Sequence, residues 1–179
     1  MRFQTADCRL QIGIALLALC LGATAGRGET IDRVLAVVAG QLITLSDVTA
    51  ATDLGLQTAD GGADPVRAVL TKLIDRELVI AEVDRYAPAE PGADAVDREV
   101  ALVRRRFASP AGFEAALARS GIDEQHLRET LRQDLRMRAY LDQRFSTASE
   151  RRVNAVQEWL VGLRRRGDVI DLYLAGQPR

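Results

Sequence analysis

Residues 113–145 read as helix, stop, helix, and this one stretch restricts the chain to a largely helical architecture. In FEAALARSGIDEQHLRETLRQDLRMRAYLDQRF, Phe113, Ala116 and Leu117 share one face. Gly121 stands where a left-handed cap ends a helix, and Asp123 where a side chain caps the next one. Leu127, Leu131 and Leu135 then recur at the spacing of a single helical face. The stretch is scaffold and carries no catalytic group.

Upstream, Ile31 to Val38 mixes β-branched and apolar residues, Gly40 marks a turn, and Leu42 to Leu45 returns, so a short hairpin is expected. Ser46-Asp47 offers a helix cap, after which apolar periodicity fades and Asp60 to Asp64, with Gly61 and Gly62, reads as a mobile loop. From Pro65, suited to a first helical turn, Val66, Val69, Leu70, Leu73, Ile74 and Leu78 trace the broad stripe of a central core helix. Pro88, Pro91 and Gly92 break the chain, and Val96, Val100, Val103 and Phe107 mark a further helix. Its outer side carries Arg104 to Arg106, read as a solvated face rather than a phosphate site.

Near the C-terminus, Val153, Val156, Leu160 and Leu163 lie on one helical face, with Trp159 beside them as a core side chain. Arg164 to Arg166 suit the negative end of that helix. Gly167 stops it, and VIDLYL from Val169 to Leu174 becomes extended. That strand needs a partner, and the N-terminal hairpin is the expected one.

The N-terminus sets the compartment. Arg2 and Arg9 precede an apolar run from Ile12 to Leu21, and Ala23-Thr24-Ala25 supplies small residues for cleavage, the pattern of a secretory signal over residues 1–25. The run is shorter than the roughly 20 residues that cross a bilayer. Lipidation at Cys20 is disfavoured because Leu19, directly before it, is not small. Both cysteines, Cys8 and Cys20, lie in the signal, so a mature protein over residues 26–179 holds no thiol and relies on packing for stability. It also offers only His126 as a histidine, on a polar helix stretch. A structural zinc site, which needs several cysteines or histidines, is not expected, and no cofactor is implied.

The 179 residues, less the signal, suit one domain with a real core. Charged residues make up 27% and balance to a formal net charge of -1, so no global field favours nucleic acid or an anionic membrane. Aromatics are 4%, too few for a base-stacking surface. There is no glycine-rich phosphate loop, His-Glu helix motif or nucleophile elbow. Asp123-Glu124 sits at a helix start, where acids serve as cap and dipole partners rather than as a glycosidase pair.

The order of three blocks, IDRVLAVVAGQLITLSDV (Ile31 to Val48), KLIDRELVIAEVDRY (Lys72 to Tyr86) and the helix pair at 113–145, resembles the N-terminal module of the SurA-type periplasmic chaperones. ITLSDV from Ile43 and LIDREL from Leu73 carry the resemblance, and RRVNAVQEWLVGLRRRG resembles the returning C-terminal helix, with 150–174 as helix plus strand. The resemblance implies a mainly α chaperone domain of five to six helices, closed by a small antiparallel sheet of N-terminal hairpin and C-terminal strand. Well-known members insert parvulin-type prolyl isomerase domains after the helix that ends near Phe145. Only Ser146 to Ser149 stand there, and an isomerase domain needs about a hundred residues, so isomerase activity is not carried over.

The expected function is that of an ATP-independent periplasmic holdase. It would bury apolar client segments of exported or outer-membrane proteins in a groove between helices, with no stable membrane insertion after signal removal. Met137, Tyr140 and Phe145 are the candidate peptide-binding residues, because Met137 and Tyr140 lie off the leucine stripe and flexible or aromatic side chains suit promiscuous contacts. The alternative is a non-catalytic assembly subunit docking one fixed envelope partner.

Overall fold

A computed structural model describes residues 32–61, 63–86, 88–145 and 149–173 of the chain. The expected signal with Cys8 and Cys20, as well as Ile31, Gly62 and Leu174, lies outside the described residues. The hairpin forms from β1 (Val34–Val38) and β2 (Gln41–Thr44), with Val38 opposite Gln41, Val37 opposite Leu42 and Ala36 opposite Ile43. Its two turn residues, Ala39 and Gly40, have φ of 49° and 84°. Positive φ at both positions matches the mirror-image turn that suits the right-handed twist of two strands.

Six helices follow among the described residues: α1 (Leu45–Asp53), α2 (Pro65–Tyr86), α3 (Ala93–Arg104), α4 (Pro110–Ser120), α5 (Glu124–Arg144) and α6 (Ser149–Arg166). The chain ends its described course in β3 (Val169–Asp171), which pairs antiparallel with β1 on the side away from β2. The C-terminal strand therefore does meet the N-terminal hairpin, in the order β2-β1-β3. The fold is mainly helical with a small antiparallel sheet.

Local chemistry explains most boundaries. Asp123 accepts from the His126 amide at 2.7 Å and starts α5, while Gly121 takes φ 68° and ends α4. Asp64 does for α2 what Asp123 does for α5, accepting from the Arg67 amide at 2.9 Å. The start of α1 differs from expectation. Thr44, not Ser46, is the cap, since its hydroxyl receives the Asp47 amide while the Asp47 carboxylate receives the Thr44 amide at 2.8 Å. This reciprocal box draws Leu45 into the helix instead of the strand. The helix then runs on to Asp53 through Val48, Ala50 and Ala51, all buried.

Two apolar cores result among the described residues. The first joins Leu35, Ala36, Val38 and Ile43 of the sheet to Val69, Leu70, Leu73, Ile74 and Val83 of α2, and α6 adds Leu163. The second gathers Ala50 and Leu54, Val100 and Val103 of α3, Phe113 and Leu117 of α4, and Leu127 and Leu131 of α5. Helix α5 thus serves both cores. Its buried face runs along Leu127 and Leu131 and then turns to Arg136 and Tyr140, leaving Leu135 half-buried. Val153 is likewise off the packed side of α6, at 60% exposure, where a solvent-facing position was not expected.

Candidate functional site

A cleft of about 420 Å³ opens between β2 and α1 on one side and α5 on the other, with α2 beneath. Its depth is apolar, made by Ala50, Ala51, Leu73, Ile80 and Leu127, all buried. Arg76, on the α2 turn facing α5, organises the polar wall. Its Nε donates to Asp134 at 2.8 Å, one Nη to Glu77 at 2.6 Å and the other to the Thr130 carbonyl at 3.1 Å. All three donor nitrogens are committed, and the fork ties α2 to α5. Glu77 is held above the ordinary carboxylate range, first by burial; Arg76 opposes this, and the nearby Asp47 and Asp134 carboxylates add to it.

Farther along the wall, Asp84 accepts from the buried Arg136 at 2.8 Å, and Arg136 also meets Glu90 at 3.1 Å. Glu129 is held by Arg132 and by the Gln133 amide. Asp84 and Glu129 nonetheless keep 55% and 51% of their side chains exposed, so both still offer oxygen atoms to solvent. His126 borders the cleft and is exposed, as expected for a solvated side chain.

The three residues expected to bind peptide lie elsewhere, around the α5–α6 junction, and the structure brings two of them together through a third ring. Tyr140 lies 6.1 Å and Phe145 5.5 Å from Trp159, centroid to centroid, and Tyr86 lies 5.5 Å from Tyr140. The Arg144 guanidinium stands over three rings, 5.5 Å from Trp159, 5.7 Å from Phe145 and 5.9 Å from Tyr140. Tyr140 is buried at 6% exposure, its ring lying between Tyr86 of α2 and Trp159 of α6, so it presents little surface to a client in this conformation. Burial also pushes its hydroxyl above the usual tyrosine range. Met137 is half-buried against the first core, and Phe145 is half-buried at the helix end. Trp159 packs against the core as expected. Ser146, Thr147 and Ala148, where relatives were expected to insert a further domain, lie outside the described residues.

The arginine triplets are more engaged than a solvated face requires. Arg104 pairs with Glu124, and Arg106 donates to the Leu54 and Gly55 carbonyls at 3.0 and 2.5 Å, closing the end of α1. Arg164 grips Asp75 with two nitrogens. Among the described residues, no group of three or more His, Cys, Asp or Glu is placed to hold a metal ion, and no helix is long and apolar enough to cross a membrane.

Among the described residues the fold is mainly helical, its N-terminal hairpin and C-terminal strand meet in a three-stranded sheet, and the cleft lies beside β2. The chain is similar to "Chaperone SurA" of Chromobacterium violaceum, with 30% identity over 128 residues. The match covers 68% of this chain and 30% of that relative, so the chain spans about a third of the relative's length or less. No family model matches the chain.

Proposed function

We propose that this chain is a SurA-like periplasmic chaperone module, which holds unfolded exported proteins, outer-membrane proteins among them, without ATP. The observation that carries the reading is the cleft: apolar in its depth, polar on its walls and bordered by an open strand. Such a site buries client side chains at roughly 25 cal/mol per Å² without demanding a folded partner, so binding stays reversible. Similarity to a chaperone over 68% of the chain supports the same class. The signal pattern at residues 1–25 supports export. The exposed parts of Met137 and Phe145 provide a second, smaller contact area, with Tyr140 as support beneath it. Prolyl isomerisation and bound cofactors are not part of the proposal.

The deciding experiment takes the form starting after Ala25 and dilutes an unfolded outer-membrane protein from denaturant into it, following light scattering with an isomerisation assay alongside. Suppressed scattering without isomerase activity is the expected result. Unchanged scattering, with one envelope protein recovered at fixed ratio, would instead make the chain an assembly subunit.

A further inference from the structure

We propose that the outer edge of β2 is a strand-addition site, which takes an extended client segment and directs one of its basic side chains into the acidic cleft. The inference rests on the chaperone reading above and names the segment such a chaperone would hold.

Three consecutive residues, Gln41, Leu42 and Ile43, border the cleft. Side chains alternate between the faces of a strand, so a cavity that meets three in a row meets the strand's edge. The hairpin register says which groups point there. With a two-residue turn, Val38 and Gln41 form the hydrogen-bonded pair next to it, and Leu42, opposite Val37, falls in the following non-bonded pair. The Leu42 N–H and C=O therefore point away from β1. Sheet order places β3 on the far side of β1, and among the described residues no strand pairs with this edge. The Leu42 side chain is 60% exposed. The edge is also short, because the Thr44 amide is already taken by Asp47 at 2.8 Å. It can form one pair of main-chain bonds with a guest, which suits rapid release.

Charge selects the guest. The cleft wall carries Asp47, Glu77, Asp84, Glu129 and Asp134 against the single guanidinium of Arg76. Arg132 and Arg136 answer Glu129 and Asp84, yet the five acids still outnumber these three arginines. Each of the three Arg76 nitrogens already donates within the protein, to Asp134, Glu77 and the Thr130 carbonyl. A lysine or arginine entering the cleft finds solvent-accessible carboxylates in Asp84 and Glu129.

The test uses the signal-free chain and fluorescence anisotropy of labelled, strand-forming Thr/Val peptides with a central Arg, with Glu in its place, or with Arg and alternate backbone amides N-methylated. The Arg peptide should bind about tenfold more tightly than either of the others, the scale of one charge-assisted or main-chain hydrogen bond. Leu42→Pro deletes the outward N–H at an edge position where proline is compatible with a strand, and should weaken the Arg peptide to the level of its N-methylated form. The double change Asp84→Asn with Glu129→Gln should erase the Arg-over-Glu preference while N-methylation still weakens binding. If Leu42→Pro loses its circular dichroism, the peptide comparison on the unaltered chain decides alone. Equal binding of all three peptides overturns the proposal, as does a dimer that Leu42→Pro dissociates, since a second copy would then own the edge. Equal peptide binding with retained suppression of aggregation sinks strand addition alone; loss of both sinks the chaperone reading too.

Discussion

The Tyr173 hydroxyl reaches both carboxylate oxygens of Asp64 at 2.9 Å, across 109 residues of sequence. Asp64 also caps α2 through the Arg67 amide, so one carboxylate joins the start of the central helix to the last described residue. Arg67 reinforces the joint through Asp171, and Arg33 donates to the Tyr173 carbonyl at 3.3 Å.

This joint should be pH-dependent. Asp64 is held below its ordinary value of 3.8, first by the Arg67 amide, with burial opposing and the Tyr173 hydroxyl assisting. A depressed acid contributes stability that is present above its unfolded pKa and is lost as pH falls through its folded one. Tyr173→Phe keeps the buried ring and removes the hydroxyl, so it should lower the melting temperature at pH 7 and bring the variant closer to the parent below pH 3.8. Melting curves across that range check it; a parallel offset at every pH would show that the hydroxyl acts independently of the carboxylate.

Gly167 should tolerate no side chain. A Cβ there would stand 2.8 Å from the Leu163 carbonyl oxygen and against the Leu78 side chain, at the point where α6 gives way to β3. The backbone oxygen cannot move without disturbing α6. Gly167→Ala is expected to cost about 1–3 kcal/mol, the range for overpacking, read as a reduced urea midpoint with an unchanged slope. Gly61, with open space around it, is no guide here, since its positive φ of 61° rather than crowding makes it a glycine position.

Much of the fold was legible because apolar stripes declare helices without knowledge of their partners. The α2 stripe from Val69 to Leu78, the Gly121 stop and the Asp123 cap all appear where spacing and capping chemistry put them. Thr44 escaped notice because Thr44-Leu45-Ser46-Asp47 contains two possible caps, and only the reciprocal bond to Asp47 chooses between them. The burial of Tyr140 is hidden for a different reason: a stripe extrapolated from Leu127 and Leu131 assumes one core, whereas α5 serves two. The cleft was invisible because Arg76 and Asp134 are 58 residues apart, and each looks like an ordinary solvated charge on its own helix. The LIDREL block contained the signal, an Arg-Glu pair within a core helix, but no spacing rule says which helix answers it.

Arg76 should matter more to stability than its charge alone suggests. Its side chain is 13% exposed, and Glu77 and Asp134 beside it are 19% and 20% exposed. Arg76→Ala leaves both acids without their shared cation and is expected to destabilise by about 2–4 kcal/mol at pH 7, approaching the cost of breaking a buried pair. Glu77 is raised, so its share of stability is fully present below its unfolded pKa and declines as pH rises through the folded one. Removing Arg76 raises Glu77 further and enlarges that decline. The stability gap between parent and variant should therefore shrink on acidification toward the carboxylate range, and urea titrations at stepped pH would reveal it. Glu77→Gln in the Arg76→Ala background should recover part of the loss at neutral pH and none in acid.

Trp159 separates packing from polarity at the aromatic corner. Its ring meets Tyr140 and Phe145, and the Arg144 guanidinium stacks over it, yet its Nε1 is buried and, among the described residues, lacks a hydrogen-bond partner. A buried donor left unpaired carries its desolvation cost without return. Trp159→Phe discards that donor and keeps most of the aromatic contact, so it should change stability by less than about 1 kcal/mol. Trp159→Ala removes the ring and should cost about 2–4 kcal/mol, somewhat below the range for fully buried tryptophan because this side chain is half-buried. Chemical denaturation of both variants decides the matter. A large loss in Trp159→Phe would mean that the indole N–H has a partner after all, and would turn attention to what supplies it.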